Sequence, residues 1–487
     1  MFECLPMFTP LSNGLPKLML AKPVKRVLPL VGIVLLLVLS GFQVYHRHVV
    51  YPFSTPASVP SLNHDPFSRL KSSDGQQYGD LHQQNNDASS HDEDMSATHV
   101  QLFSPSTPDG RLFHIDFAGR LAINPSIIPH PERPHTWIIT AQLHKSSDQK
   151  SSVWFAELVC DATFDQTGRT LACSESPLIL PIAATIGGSD CVGDLAYFSL
   201  NIGPHDARVF YGPKAPYTLY GSNSEFTCFG QWILDFRRLV DWPAHMDLLS
   251  DYGFRRATEL QRPSPYGAIE KNWFLFWDTW GQPYVHYDVA PTRVFARLER
   301  DGSVGSDLSP LTADADMQCL QRYLPPIQQP NMESIHQATN SLAITLCHRA
   351  DPQCQVNEEN TYILTIFHHK SFYSFHSVYE PYAMLFRQTP PFAIHGLSTK
   401  PLWISGRGAF GKGKKPDTLT PDQLRTWNQT EMLYITAISW KTQGLKYQGY
   451  LDDLLFIAFG REDSDTGGID VVAGDLLKEM GFCGGMG

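Results

Sequence analysis

The sequence predicts an all-β fold, a five-bladed β-propeller, preceded by a single N-terminal transmembrane helix and a disordered stem. Three observations predict it. From about residue 100 onward, short runs rich in β-branched and aromatic residues are bounded by Gly, Pro, Asn and Asp. Five polar or Gly/Pro clusters lead directly into apolar strands, at successive gaps of roughly 60 to 110 residues. One uncharged apolar stretch and then a polar tract come before all of this.

The apolar stretch runs from Val27 to Tyr45 and carries no charge over 19 residues, close to the ~20 that cross a bilayer as a helix. Lys17, Lys22, Lys25 and Arg26 precede it, and Arg47 is the one basic residue close behind it. That asymmetry predicts a type II signal anchor with residues 1–26 in the cytosol and the C-terminal bulk in a secretory lumen, Golgi or ER. The stretch is long for a signal peptide, and no small-residue cleavage site follows it. Residues 46–100 include SSDGQQYGDLHQQNNDASSHDED and read as a stem without periodicity. Residues 101–487 form the expected luminal head.

The head has ample apolar material, since 42% of the chain is hydrophobic against 18% charged. Net charge is −11 with no basic run in the head, which argues against a nucleic-acid partner. Eight cysteines follow residue 100, an even number that permits up to four disulfides in an oxidising lumen. Cys347 and Cys354 are near enough in sequence to close a small loop, and the alternative for several others is an ordinary buried thiol. No Cys/His spacing fits zinc. Asn428-Gln429-Thr430 is a glycosylation sequon that would face the lumen.

The predicted strands are grouped. The five openings are Asn124-Pro125, Gly203 to Arg208, Glu270-Lys271-Asn272, Gln337 to Asn340, and Gly449 to Asp453. In a propeller the inner strand of each four-stranded blade lines a central channel. Polar residues at five strand openings then converge on one rim. A sandwich or a two-domain β protein is the alternative. Helical periodicity is scarce, with DQLRTW and GDLLKEMGF the candidate helical turns.

At these openings the chain resembles the five-bladed propeller glycosidases and phosphorylases, in particular the glycoside hydrolase family 130 mannoside phosphorylases and related fungal-type β-mannosyltransferases. The family's Asn-Pro element is matched by Asn124-Pro125, its Glu-Asp-Pro-Arg element by His205-Asp206-Ala207-Arg208, and its Glu-Lys-Asn element by Glu270-Lys271-Asn272. ILTIFHHK, with His368 and His369, occupies the place of a Tyr-His-Gly, and Gly449 to Asp453 that of a Gly-x-x-Asp. His205 and Ala207 depart from the family pattern, whereas Asp206 and Arg208 keep it.

The resemblance implies that Asp206 is the acid/base residue of glycosidic-bond chemistry, which needs a proton donor or acceptor at the bridging oxygen. For an isolated Asp at a strand start, turn capping is the bland reading. Arg208, Lys271, His286 and His369 can together neutralise a phosphate, Glu270 and Lys271 can bind a sugar hydroxyl and a phosphate or leaving-group oxygen, and Asn124, Asn272 and Asp453 are further substrate-binding candidates. The alternatives are a surface ion pair and core histidines. Trp273, Trp277 and Trp280 can stack on sugars or pack the blades.

A nucleotide-sugar donor would bring a divalent metal, but Asp-x-Asp occurs at 92–94, 314–316 and 463–465, too often to mark a site. No metal ligands are assigned. Three functions remain open: a luminal mannosyl-type glycosyltransferase as the leading expectation, a glycoside hydrolase or phosphorylase, and a non-catalytic propeller that binds glycans or proteins, which His205 and Ala207 motivate.

Overall fold

The computed structural model describes residues 95–145, 154–187, 190–243, 252–373 and 376–483, all in one compact unit. The expected cytosolic tail, the candidate span 27–45 and residues 46–94 of the expected stem lie outside the described residues. Among the described residues no helix is long and apolar enough to cross a membrane.

The fold is mostly β. A helical turn at residues 95–98 buries Met95 and leads into β1 (Val100–Leu102) and β2 (Phe113–Asp116). Four-stranded antiparallel sheets then follow. Sheet one contains β3 (Ala122–Pro129), β4 (Trp137–Leu143), β5 (Glu157–Phe164) and β6 (Thr170–Cys173), with short β7 (Leu178–Ile179) beside β5. Sheet two contains β8 (His205–Tyr211), β9 (Pro216–Asn223), β10 (Phe229–Asp235) and β11 (Thr258–Glu259). Sheet three contains β12 (Phe274–Trp277), β13 (Pro283–Asp288), β14 (Val294–Leu298) and β15 (Val304–Asp307). Helix α1 (Ala313–Tyr323) separates it from sheet four.

In sheet four, β16 (Glu333–Gln337) and β17 (Leu342–Thr345) pair with successive parts of β18 (Thr361–Tyr373), followed by β19 (His376–Arg387) and β20 (Ile394–Ser398). β21 (Leu402–Ile404) pairs in parallel with β1. Sheet five contains β22 (Leu433–Trp440), β24 (Leu454–Arg461) and β25 (Asp465–Val472), while β23 (Gln448–Tyr450) crosses to β17. β26 (Met480–Phe482) edges β20.

Closure comes from β2. It completes sheet five through Phe113↔Gly468 and meets β6 of sheet one through His114↔Thr170, so the first described sheet and the last are joined. The arrangement is propeller-like, and its edges are consumed where the two ends of the head meet. Strands lying between neighbouring sheets are buried on both faces and so read as continuous apolar runs. FLFW of β12 is wholly buried, and β22 and β24 nearly so. Phe276 anchors one inter-sheet contact, with Phe386 and Phe392 rings at 5.0 and 5.2 Å. Each such side chain contributes about 1.5–3 kcal/mol of burial.

Four disulfides join Cys160–Cys173, Cys191–Cys228, Cys319–Cys483 and Cys347–Cys354, using all eight of these cysteines. The small loop expected across Cys347 and Cys354 is formed.

The expected fifth opening requires correction. Gly449 to Asp453 does not start a first strand; it is the end of β23 and the turn into β24, the second strand of sheet five. The first strand is β22, which begins at Leu433 without a Gly or Pro cluster. Turn-forming residues mark any reversal of the chain. Gln337 likewise ends β16, and residues 338–340 lead from it towards β17, inside the inner edge of sheet four.

Candidate active site at the strand openings

The openings of sheets one and two are β-bulges. Pairing of β3 with β4 shifts register between Ile123 and Ser126, and pairing of β8 with β9 shifts between His205 and Arg208. Asn124, Asp206 and Asn272 all take left-handed backbone, with φ of 56°, 52° and 64°. Asn and Asp tolerate that region better than other L residues, and bulges re-aim side chains. Here they aim them at one another: the Asn124 Nδ2 donates to Asp206 Oδ1 at 2.7 Å. The Asp206 amide donates to Gln142 Oε1 at 3.0 Å. Gly460 of β24 leaves room for this pair, since a Cβ there would sit 2.5 Å from Asn124 Oδ1.

The other sheets contribute to the same recess. The Arg208 guanidinium lies over the Tyr434 ring of sheet five, 5.7 Å from its centre. The Tyr434 hydroxyl donates to Asn272 Oδ1 of sheet three at 3.0 Å. From sheet four, the His368 and Tyr379 rings approach Tyr434 at 5.0 and 4.9 Å, with His336 at 6.4 Å. Lys370 lies over Tyr379 at 5.6 Å. All five sheets therefore present a polar side chain to one place.

The electrostatics are those of an incompletely neutralised basic recess. Among the described residues Arg208, Lys271 and Lys370 make no ion pair, and Arg208, only 5% exposed, has an Nη1 without a partner. His205 and His336 are each lowered to about 4; burial is the main cause, and the nearby Lys271 charge adds to it in both. His368 is pushed well below its ordinary value by burial, then by His336, Arg407 and Arg208. Its Nε2 accepts from the Ile435 amide at 3.3 Å, which leaves Nδ1 as a buried donor with no partner. Burial also lowers Lys370, with Lys271 adding to it.

Sequence reasoning missed several of these groups. Asp463 sits in a turn where it and Glu462 both take left-handed backbone, at 47° and 50°. It is solvent-exposed yet recessed, and partial desolvation, then Asp206 and Glu462, raise its carboxyl above the usual range. The signal available was REDSD, a polar run closing a strand, which the Asp-x-Asp count set aside. Tyr434 and His336 lack any Gly/Pro punctuation.

Asn124, Asp206, Arg208, Lys271 and Asn272 meet at the recess. Four other candidates do not. Glu270 is buried against Arg262, at 3.0 Å, and accepts from the Trp273 indole. His286 is fully buried, with Nδ1 at 2.5 Å from Gln337 and Nε2 accepting from Arg293. His369 faces away from His368, as strand alternation requires, and meets Glu333 at 3.3 Å. Asp453 precedes β24 while Asp463 follows it, so the length of that strand separates Asp453 from the recess; it pairs with Arg349 at 2.6 Å.

Asn428 is exposed. Trp273 and Trp277 are buried packing residues, while Trp280 is 72% exposed. Asp316 of the 314–316 Asp-x-Asp is buried and paired with Arg293 at 3.0 Å, so it cannot serve a metal. No metal-competent cluster of three acidic, His or Cys side chains occurs among the described residues.

A cavity of about 770 Å³ lies elsewhere. Tyr217, Trp277 and Arg300 line it beyond the far ends of β8 and β12, away from the polar convergence. The convergence is distinguished by its chemistry.

No protein-family model matches the chain, and no curated relative matches it. Solved structures with similarity include a β-1,2-mannobiose phosphorylase from Listeria innocua in complex with β-1,2-mannobiose, at 10% identity and TM-score 0.40 over 78% of this chain and 96% of that one. A glycosyl hydrolase from Bacteroides ovatus gives 9% and 0.36, over 76% and 90%. An arabinanase from Bacillus subtilis gives 10% and 0.31, over 72% and 94%.

Proposed function

We propose that this chain processes glycosidic bonds at the strand openings by phosphorolysis or hydrolysis. Asp206 transfers the proton at the bridging oxygen, and Arg208, Lys271 and Lys370 hold an oxyanion, phosphate in the phosphorolytic case. The observation that carries this reading is the Asn124–Asp206 pair beside the buried Arg208, whose Nη1 has no partner, at a place to which every sheet contributes. A positioned carboxyl supplies general acid/base catalysis, and a guanidinium with a free donor edge suits a phosphoryl or carboxylate oxygen.

The test is incubation of the purified chain with manno-oligosaccharides, with and without orthophosphate. Sugar 1-phosphate formed only with phosphate indicates phosphorolysis, and free sugar in its absence indicates hydrolysis. No product from either, at any pH from mildly acid to mildly alkaline, sinks the proposal.

Run in the synthetic direction, the same site would transfer a mannosyl group from mannose 1-phosphate to a glycan acceptor, as the resemblance to β-mannosyltransferases implies. What favours a luminal setting for either direction is the uncharged 27–45 stretch together with the four disulfides, which suit an oxidising compartment. Protease protection of the head in sealed Golgi or ER vesicles checks the location; digestion without detergent would refute it.

A further inference from the structure

Of the three tryptophans that can stack on sugars or pack the blades, Trp273 and Trp277 are buried and Trp280 reaches solvent. Trp280 sits in the turn after β12, at the far end of the inner strands. The turn is held firmly. Asp278 Oδ1 accepts from the Trp280 and Gln282 amides, each at 2.9 Å, and the Asp278 amide donates to the Gln282 carbonyl at 3.1 Å. Gly281 takes the φ of 82° that closes the turn. A single exposed apolar side chain is ordinary. What sets Trp280 apart is its surroundings.

Two cavities meet at this turn. Trp280, Lys214, Gln388, Lys446 and Gln448 line one of about 460 Å³. Gln282 lines the other, of about 770 Å³, and Pro213, Lys214 and Gly281 belong to both. Each is within the ~300–1,000 Å³ of small-ligand sites. Lys214 lies between β8 and β9, Gln388 follows β19, and Lys446 precedes β23. Far-end segments from several sheets therefore converge here, as the openings do at the other end.

The glutamines around the ring engage one end of each amide. Gln388 Nε2 donates to the Trp277 carbonyl at 3.2 Å, and Gln282 Nε2 to the Pro283 and Leu298 carbonyls at 3.2 and 3.0 Å. Gln448 Nε2 donates to the Gly449 carbonyl at 3.4 Å. A carbonyl only accepts, so these contacts fix which end of each amide is nitrogen. Each Oε1 is left without a partner among the described residues, and that of Gln388 belongs to a residue only 9% exposed. The Trp280 indole N–H and the Lys214 and Lys446 ammonium groups are likewise unpaired there. A phosphate brings no donor to an amide oxygen. A sugar hydroxyl both donates and accepts, and a pyranose ring has a C–H face that fits an indole.

We propose that the far end is a second, non-catalytic glycan-binding site. Trp280 stacks on one ring of a neutral oligosaccharide, Gln282, Gln388 and Gln448 accept from its hydroxyls, and Lys214 and Lys446 donate to them. Two adjoining cavities suit a chain of sugars better than a single one. The site lies at the opposite ends of the inner strands from Asp206, so it holds a glycan without bringing a bond to the acid/base residue. It stands whether or not the openings are catalytic.

The test runs the full chain through native gels that contain mannan, arabinan or a β-glucan as neutral probes. At least one should retard wild type. Trp280→Ala should weaken that retardation about tenfold or more, the scale of truncating an aromatic anchor, and Trp280→Phe should keep part of it. Lys214→Ala, also at the surface, should weaken it as well, and thermal melts matching wild type show that these variants fold. Asp206→Asn should be retarded like wild type. Wild type unretarded by all three probes overturns the proposal. So does Trp280→Ala retarded like wild type, which would leave the glycan at the openings alone. Trp280-dependent fluorescence quenching by a nucleoside diphosphate, with none by the oligosaccharides of these polymers, overturns it too and gives the lysines to phosphate. Trp280-dependent retardation without any turnover defeats the catalytic reading of the openings and leaves this one standing.

Discussion

The two ends of the inner strands use the same residue types in opposite ways. At the far end, beyond β8, β12 and β22, acids are neutralised. Asp453 receives Arg349 at 2.6 Å, Asp452 caps the Arg349 amide, and Asp278 accepts from the Trp280 and Gln282 amides and the Tyr284 hydroxyl. At the opening end, Arg208, His205 and His368 each carry a buried polar atom without a partner, and three openings hold left-handed non-glycine backbone. Unpaired buried polar groups and strained φ each cost on the order of 1–3 kcal/mol. A ligand that supplied the missing partners at the opening end would recover part of that cost.

The largest expected effect tests that asymmetry directly. Asp206→Asn should reduce glycosidic turnover by about 10²–10⁴-fold, the range for removing a general acid/base, while Asp453→Asn leaves turnover within about twofold. Equal losses from both would remove the functional distinction between the ends. Arg208→Ala comes next: losing a charged donor to an oxyanion should weaken phosphate binding by about 10–100-fold, read by calorimetry, since such bonds contribute about 1.5–3 kcal/mol. An Arg208→Lys protein that binds phosphate as tightly as wild type would show that the guanidinium's free edge is not what the anion meets.

Gly460→Ala sharpens the comparison without touching a charge. The added Cβ would meet Asn124 Oδ1 at 2.5 Å, so Asn124 must shift and Asp206 loses its donor. Overpacking of this kind costs about 1–3 kcal/mol. Turnover should fall by more than the stability loss accounts for, which thermal melts run beside the activity assay will reveal. A fall in melting temperature with unchanged turnover would show that the Asn124 contact is structural only.

Much of the opening end was legible in the sequence because its motifs are backbone features. Asn124-Pro125 and Asp206-Ala207 mark bulges, and Asn272 marks the left-handed residue before β12. Residues that bulge or turn are chosen by φ, and φ preferences are local. Asp453 misled for the same reason, since Gly449 to Asp453 is a genuine turn but at the wrong end of a strand. His286 and His369 were misplaced because strand alternation and the pairing register decide which way a side chain faces, and one position separates His368 in the recess from His369 outside it. α1 was invisible: its first turn carries Asp314 and Asp316, which resembled a metal motif, and the tertiary pair Arg293–Asp316 gives the buried acid its partner. Tyr434 and His336 belong to the site only through sheet-to-sheet contact, which no local signal encodes.

The smallest expected effect is on pH-dependent stability, and it too separates the ends. His205 and His336 have folded-state values near 4 against an ordinary 6.5, so between these limits the unfolded chain binds more protons than the native one. Stability is then full above about pH 6.5 and declines as pH falls towards 4, with melting temperature dropping from pH 7 to pH 5. Both side chains are half-buried, and solvent screening reduces the effect below what full burial would give. Replacing both with Asn should flatten that part of the curve, whereas Asp453→Asn, which breaks an Arg349 pair that is itself partly exposed, should lower stability by no more than about 1 kcal/mol across the same range. If the double Asn protein melts with the same acid dependence as wild type, the recess histidines are not the groups held neutral against their own titration, and the unsatisfied character of the opening end would have to rest on Arg208 and His368 alone.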